Sequence, residues 1–458
     1  MPNRHPPARV GSRCSQRTPV RRLSRPIAAN AQPRPGTPFT VALTGRCIDM
    51  IAQLPVPADD GVLLVHDYLL VMRGAERTFE AMTECFPGAE LATLLYDPVA
   101  TQGRFRGRRI RTSFLQPVAA KQGRHRRFLP LLPLAAQRLP VDHARLIISS
   151  SSAFAHGVRP APDAVHVCYC HSPFRYVWHE RDRAERALPA VARPAIHAAF
   201  TAVRRWDQNA ARRVTTFVAN SELTRRRIKE FYDRDAVVVH PPVDVQRFIA
   251  DPDPRDYFLT VGEVTRHKNT EVALVAAERA GVKLKVVGDG PDLARIQRRF
   301  TRHAEFLGRV DDQRLIELYA GCRALVVPAI EEFGITMVEA HAAGRPVLAA
   351  ARGGALEIVS DGVTGRLVAP GSVEAFTQSL RGIDWESFDP ATLRASAARF
   401  SREQFGERFT GAVAAAFARA ELRQPARIAR PRAVKPAAVI AAAQPVPGGS
   451  IARSSHRP

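Results

Sequence analysis

Val327-Pro-Ala-Ile-Glu331-Glu-Phe-Gly334-Ile-Thr-Met-Val-Glu339-Ala-His-Ala-Ala-Gly344-Arg-Pro346 is the stretch that decides the fold. A short apolar run ends at Val327, a glycine-containing turn follows, and a helix is predicted from about Ile335 until Gly344 and Pro346 stop it. A buried strand that feeds a helix through a glycine turn is the repeating unit of a parallel sheet. The first backbone N–H groups of such a helix have no partner within it. Those of Phe333, Gly334, Ile335 and Thr336, with the positive end of the helix dipole, therefore form an anion site suited to a diphosphate. Glu331 precedes the helix and Glu339 lies one turn inside it, so both are placed to face a cleft, one for sugar hydroxyls and the other for a ribose. The plainer reading, two solvated charges, is disfavoured by the flanking strand, glycines and apolar helix.

The same alternation runs outward in both directions. Strands are predicted at 62–65, 91–95, 146–149, 165–170, 217–219 and 237–239, and again at 258–261, 284–287, 305–307, 324–327, 346–349 and 365–368, with helical patterns between them. Four prolines between His240 and Pro254 block helix continuation and mark a linker. The chain thus divides into a leader (1–60), a first doubly wound domain (61–240), a linker (241–256), a second doubly wound domain (257–400), a terminal helix (401–420) and a tail (421–458). Two such domains place the carboxyl ends of their strands around one cleft.

A chain of 458 residues, 45% of them hydrophobic, is long enough for two cores. Its formal net charge of +23 is uneven. The leader and the tail carry +6 each, in Pro-, Ala-, Arg- and Ser-rich sequence expected to be disordered. The leader reads equally as a transit peptide or as the product of an early start codon, with Met50 a candidate start. No stretch reaches the roughly 18 uninterrupted apolar residues of a membrane span. Six cysteines in so long a chain do not make a disulfide scaffold and suit a reducing cytoplasm. Cys168 and Cys170, beside His166 and His171, read as buried strand cysteines rather than a zinc site, since no second ligand pair occurs elsewhere. No metal ligand set is evident.

Further motifs fall at strand ends. Val65-His66-Asp67-Tyr68 is followed by Arg73-Gly74-Ala-Glu76, where Gly74 lets backbone approach a ligand or simply makes a tight turn. His171, in Cys170-His-Ser-Pro-Phe-Arg-Tyr176, is placed to hydrogen-bond a sugar hydroxyl. In Gly262-Glu-Val-Thr-Arg266-His-Lys268, a fixed cation would neutralise a departing diphosphate. Backbone groups of Arg309 and Val310, after the 305–307 strand, are placed to meet a base edge. Between Arg104 and Arg127 nine basic residues and no acid are interleaved with Phe105, Ile110, Phe114 and Leu115, and Phe128-Leu-Pro-Leu-Leu-Pro-Leu134 follows. Such a face suits an anionic membrane surface or is merely a solvated basic face. No stacking-aromatic module for nucleic acid accompanies it, so no nucleic-acid partner is expected.

Glu331-x7-Glu339 followed by Ala-x-Ala-Ala-Gly-Arg-Pro-Val347 resembles the retaining glycosyltransferases of family 4 (glycosyl transferases group 1), and the resemblance runs from residue 62 to about 420. It implies the GT-B fold, two Rossmann-like domains facing a cleft, with an acceptor domain first and a nucleotide-sugar domain second. It implies hexosyl transfer with retention, in which Lys268, Glu331 and His171 serve the chemistry and Gly74, Arg266, Arg309, Val310, Phe333, Gly334, Ile335 and Glu339 bind the donor. No metal or other cofactor is implied. Family members generally have an arginine where this chain has Glu263, and two glycines where it has Arg73-Gly74. Either Arg266 supplies the second cation, or Lys268 acts with the helix dipole alone. The His66-Asp-Tyr opening, Cys-His-Ser-Pro-Phe-Arg-Tyr-Val-Trp178 and Ala219-Asn-Ser221 look most like bacterial mannosyltransferases of O-antigen and exopolysaccharide synthesis. They imply GDP-mannose as donor and a glycan or polyprenyl-linked acceptor, in a cytoplasmic protein, peripheral on the inner face of the cell membrane if the basic face docks there. Another nucleotide sugar such as UDP-glucose is the alternative. A nicotinamide dehydrogenase lacks its Gly-x-Gly-x-x-Gly here, and a nucleic-acid- or membrane-binding protein without enzymatic activity would not need Glu331, Glu339 and Lys268 at strand ends.

Overall fold

The computed structural model describes residues 61–120, 124–186, 189–248 and 254–423. The expectations for the leader, most of the tail and the centre of the linker lie outside these residues.

Among the described residues, thirteen strands form two parallel sheets. In the first, β1 (Val62–Leu69), β2 (Glu90–Tyr96), β3 (Ile110–Thr112), β4 (Leu146–Ser151), β5 (Val165–Cys170), β6 (Thr216–Ala219) and β7 (Ala236–Val238) take the order β3-β2-β1-β4-β5-β6-β7. In the second, β8 (Phe258–Val261), β9 (Leu284–Val287), β10 (Ala304–Gly308), β11 (Leu325–Val327), β12 (Val347–Ala350) and β13 (Gly365–Val368) take the order β10-β9-β8-β11-β12-β13. The strand order reverses between β1 and β4 in one sheet and between β8 and β11 in the other. In open α/β sheets the crevice for ligands lies outside the strand ends at that reversal. This is the GT-B architecture.

The strands are near-continuous apolar runs because helices cover both faces. Phe79, Met82 and Phe86 pack with Leu64, Ile148 and Tyr169 on the first sheet, and Leu259, Leu325, Met337 and Val338 pack on the second. The last helix, Arg402–Arg423, returns to the first domain, where Phe405, Phe409, Val413 and Phe417 enter the same core as Phe79.

Two expectations about the first domain need correction. β1 continues to Leu69 through His66 and Asp67, because both polar side chains find buried partners. Asp67 accepts hydrogen bonds from the backbone N–H groups of Ser152, Ala153, Phe154 and Ala155 at 2.5 to 3.0 Å. The second correction concerns the basic stretch, where β3 was not anticipated. Phe105, Ile110 and Leu115 are core residues, not an exposed apolar face. Arg111 is buried against Glu90 at 2.8 Å, and Arg108 donates to the carbonyls of Phe86 and Ala89. Phe114, Val118, Leu129, Leu131 and Leu134 do remain exposed.

Candidate functional site

The two strand-order reversals face each other. At the second, a cleft lies between the loop after β8 and the loop after β11, lined by Gly262, Glu263, Lys268 and Thr270 on one side and Val327, Pro328, Ala329 and Glu331 on the other. Lys268 Nζ donates to both carboxylate oxygens of Glu331, at 2.7 and 2.6 Å. The cation and the carboxylate expected to serve diphosphate and sugar are therefore in direct contact across the cleft floor.

Behind Glu331 the helix Ile335–Ala342 begins at Gly334, whose φ of +100° is left-handed and whose missing Cβ would stand 2.1 Å from Met337 Cε. Glycine is what permits this turn between Glu331 and the helix start. No side chain caps this helix. Phe333 contributes backbone only, since its ring is buried against His240 and Phe400. The loop is braced from behind by Gly353 and Gly354: Gly354 N–H donates to Glu331 O at 2.9 Å, and a Cβ on Gly354 would meet Phe333 O at 1.9 Å. This brace was not read from the sequence, although two consecutive glycines after a buried strand were its signal.

Glu339 sits deeper than the cleft surface. It is 9% exposed, and Oε2 accepts a hydrogen bond from Tyr319 Oη at 2.8 Å. Burial raises its pKa above the ordinary range.

The first domain contributes a chain of polar contacts. His66 Nδ1 and His171 Nε2 both contact Ser150 Oγ, at 3.0 and 2.8 Å, and His66 Nε2 lies 3.9 Å from Glu76. Burial, reinforced by the neighbouring His66, lowers the His171 pKa to about 3, so the ring is neutral at pH 7. One of its nitrogens is already engaged by Ser150, which leaves Nδ1 for a ligand.

Gly74 is the first residue of the helix Gly74–Cys85, and a Cβ there would stand 2.9 Å from Ile335 Cδ1. The starts of a first-domain helix and a second-domain helix thus meet at the cleft. Arg73 NH1 reaches across to Glu263 Oε2 at 3.1 Å. Arg77 NH2, one turn on, donates to Asp312 at 2.9 Å. Glu332 crosses the other way, 3.1 Å from Arg227, 3.9 Å from Arg175 and 3.8 Å from His179. Burial opposes its ionisation, yet Arg175, Arg227 and Lys268 hold its pKa below the ordinary value.

Other predicted residues lie elsewhere. Arg266 is exposed and does not line the cleft. Arg309 and Val310 follow the edge strand β10, two strands away from β8, and Arg309 stands 3.9 Å from Asp289. Gly288 serves packing: a Cβ there would be 1.8 Å from Gly262 O. Cys168 and Cys170 are buried in β5, and burial pushes the Cys168 thiol up to about 12.

The model of Glycosyltransferase Family 4 matches residues 72–247, and that of Glycosyl transferases group 1 matches residues 244–383. The chain belongs to this family of glycosyltransferases. Among curated relatives it is 29% identical over 163 residues to O-antigen chain mannosyltransferase C of Escherichia coli, covering 34% of this chain and 43% of that protein. It is 30% identical over 203 residues to a D-inositol 3-phosphate glycosyltransferase of Mycolicibacterium paratuberculosis, covering 39% and 46%. The chain therefore spans less than half the length of each of these two relatives. Among solved structures, Anabaena HepE in complex with UDP and glucose superposes with a TM-score of 0.57 at 16% identity, covering 77% of this chain and 99% of that one. Sucrose-phosphate synthase of Thermosynechococcus elongatus gives 0.58 at 16%, covering 78% and 99%. Both share its fold.

Proposed function

We propose that the chain is a retaining glycosyltransferase that moves a hexose from a nucleotide-diphosphate donor to a glycan or polyprenyl-linked acceptor in surface polysaccharide synthesis. The contact between Lys268 and Glu331 at the strand-order reversal, in front of an uncapped helix start, carries this reading. The donor's diphosphate takes the helix start and Lys268, and Glu331 turns to the sugar hydroxyls. Tyr319 takes one oxygen of Glu339, and a ribose hydroxyl is assigned to the other. The C1–O bond to the β-phosphate breaks with its electron pair going to the phosphate oxygen. The acceptor oxygen attacks C1 from the same face, and its proton passes to the departing phosphate. No protein base and no metal is needed for this step. GDP-mannose is the first assignment, in line with the named mannosyltransferase relative.

The acceptor side favours a membrane. Among the described residues of 114–136, Leu115, Ala119, Leu132, Ala135 and Ala136 fill a core cluster, while Phe114, Val118, Leu129, Leu131 and Leu134 face outward. Arg124 and Arg127 are exposed beside them, and no acid occurs between Asp97 and Asp142. We assign this face to an anionic lipid surface, each cation contributing about 1 kcal/mol. No helix among the described residues is long and apolar enough to cross a membrane.

A thermal-shift panel tests the donor class, since a ligand that binds only the folded chain raises its melting temperature. GDP or UDP should raise it and NAD should not. A response to NAD or to nucleic acid alone would refute the proposal.

A further inference from the structure

Three ionisable side chains line the cleft: the carboxylates Glu263 and Glu331 and the ammonium of Lys268. Their sum is negative. A diphosphate brings at least two further negative charges, so these three groups alone have the wrong sign for the ligand assigned to them. Another cation must reach the cleft. Arg266 is exposed and does not line it. Arg175 is near Glu331 but is engaged with Glu332, whereas Arg73 is in direct contact with a lining group, 3.1 Å from Glu263.

We propose that Arg73 is a diphosphate ligand supplied by the first domain, held by Glu263 while the donor is absent and transferred to the phosphates when it binds. The proposal rests on the nucleotide-sugar reading above.

Three features make the exchange physically reasonable. Arg73 immediately precedes Gly74, where the starts of the two helices Gly74–Cys85 and Ile335–Ala342 meet, so the fold places its side chain where two positive helix ends converge and an anion is most favoured. The planar guanidinium matches two phosphate oxygens as well as it matches a carboxylate. The bridge is also easily exchanged. Its side chains are 49% and 34% exposed, so it is screened by solvent and worth little as a structural contact. The Arg77–Asp312 pair, one turn further along the same helix, joins the domains independently of it. Glu263 is then explained: a carboxylate beside a diphosphate site is repulsive by itself, but in the donor-free chain it neutralises Arg73 and keeps the guanidinium at the cleft.

Calorimetric titration of the full chain with GDP, UDP, ADP and dTDP, and with the matching monophosphates, tests this. Arg73→Ala should weaken binding of the diphosphate by about tenfold or more and leave the monophosphate within about threefold, because one charge-assisted phosphate contact is lost. Arg73→Lys should fall between. Glu263→Ala should act in the opposite direction, tightening the diphosphate by about threefold or more, since it frees Arg73 and removes a repulsive charge. A bridge that merely clamped the domains would move both variants the same way, and mono- and diphosphate alike, and that result would overturn the assignment. So would an Arg73→Ala chain that binds the diphosphate normally. A wild-type chain that binds none of these nucleotides would instead remove the nucleotide-sugar reading itself, and the role of Arg73 with it.

Discussion

Lys268 and Glu331, 63 positions apart, form a two-toothed ion pair in which one ammonium meets both oxygens of one carboxylate. Each neutralises the other in a partly buried cleft, so the donor must separate them to use both. Lys268→Ala is expected to lose two to three powers of ten in kcat, because removing one preorganised electrostatic partner typically costs about 3 to 4 kcal/mol. Glu331→Gln keeps a hydrogen-bonding group at the sugar but releases Lys268, and should lower kcat by less while tightening the nucleoside diphosphate. Steady-state kinetics beside calorimetry separates the two effects. Equal losses of kcat in both variants, with unchanged nucleotide affinity, would contradict the division of roles.

Asp67 is structural in this account. Its carboxylate holds four consecutive amides at the end of β4 and is 4% exposed. Asp67→Ala leaves buried donors unsatisfied and should reduce stability by at least about 3 kcal/mol. Urea unfolding checks this, and an unchanged midpoint would show that the loop finds other acceptors.

Acid should destabilise the first domain through its histidines. Burial lowers the pKa of both His166 and His171 to about 3. A group with a depressed folded-state pKa stabilises the fold above its unfolded value near 6.5, and that contribution is lost as pH falls from 6.5 toward 3. Each residue should then contribute a loss of about 1.4 kcal/mol per pH unit in that window. His166→Gln should make the dependence of unfolding free energy on pH shallower between pH 6 and about 4. An identical slope in the variant would show that His166 does not titrate on unfolding.

The outward face of the 114–134 segment should bind vesicles that contain anionic lipid, and salt should weaken the binding by screening. Leu129→Ser with Leu131→Ser should reduce it without unfolding the chain, because both side chains are more than 40% exposed. Arg108 is unsuited to such a test, as it holds two backbone carbonyls. Equal binding to neutral vesicles at high salt would exclude the electrostatic part of the mechanism.

Strands that are buried on both faces announce themselves. β5 and β8 are buried along nearly their whole length and coincide to the residue with the predicted segments, as do β9 and the edge strand β13. β3 was illegible because only Ile110 of its three residues is apolar, and Arg111 is tolerated there by Glu90, 21 positions away. Polar residues inside β1 were illegible for a similar reason, since the partners of His66 and Asp67 lie 84 to 88 positions along the chain. At the site, Glu331 and Gly334 stood out through local strand–turn–helix chemistry, and Lys268 through the family resemblance. Arg73 and Glu263 each showed only as a departure from the family pattern. Their 190-residue separation concealed that they answer one another.

The cleft between β8 and β11 is proposed to bind and activate a nucleotide-diphosphate sugar. Phosphorus NMR of the full chain incubated with GDP-mannose or UDP-glucose, with and without a bacterial membrane fraction as acceptor, measures this by the release of nucleoside diphosphate. Release is expected from at least one of these donors, faster with acceptor, with a fall of two to three powers of ten in Lys268→Ala. No release from either donor, or release that Lys268→Ala leaves unchanged, would contradict it.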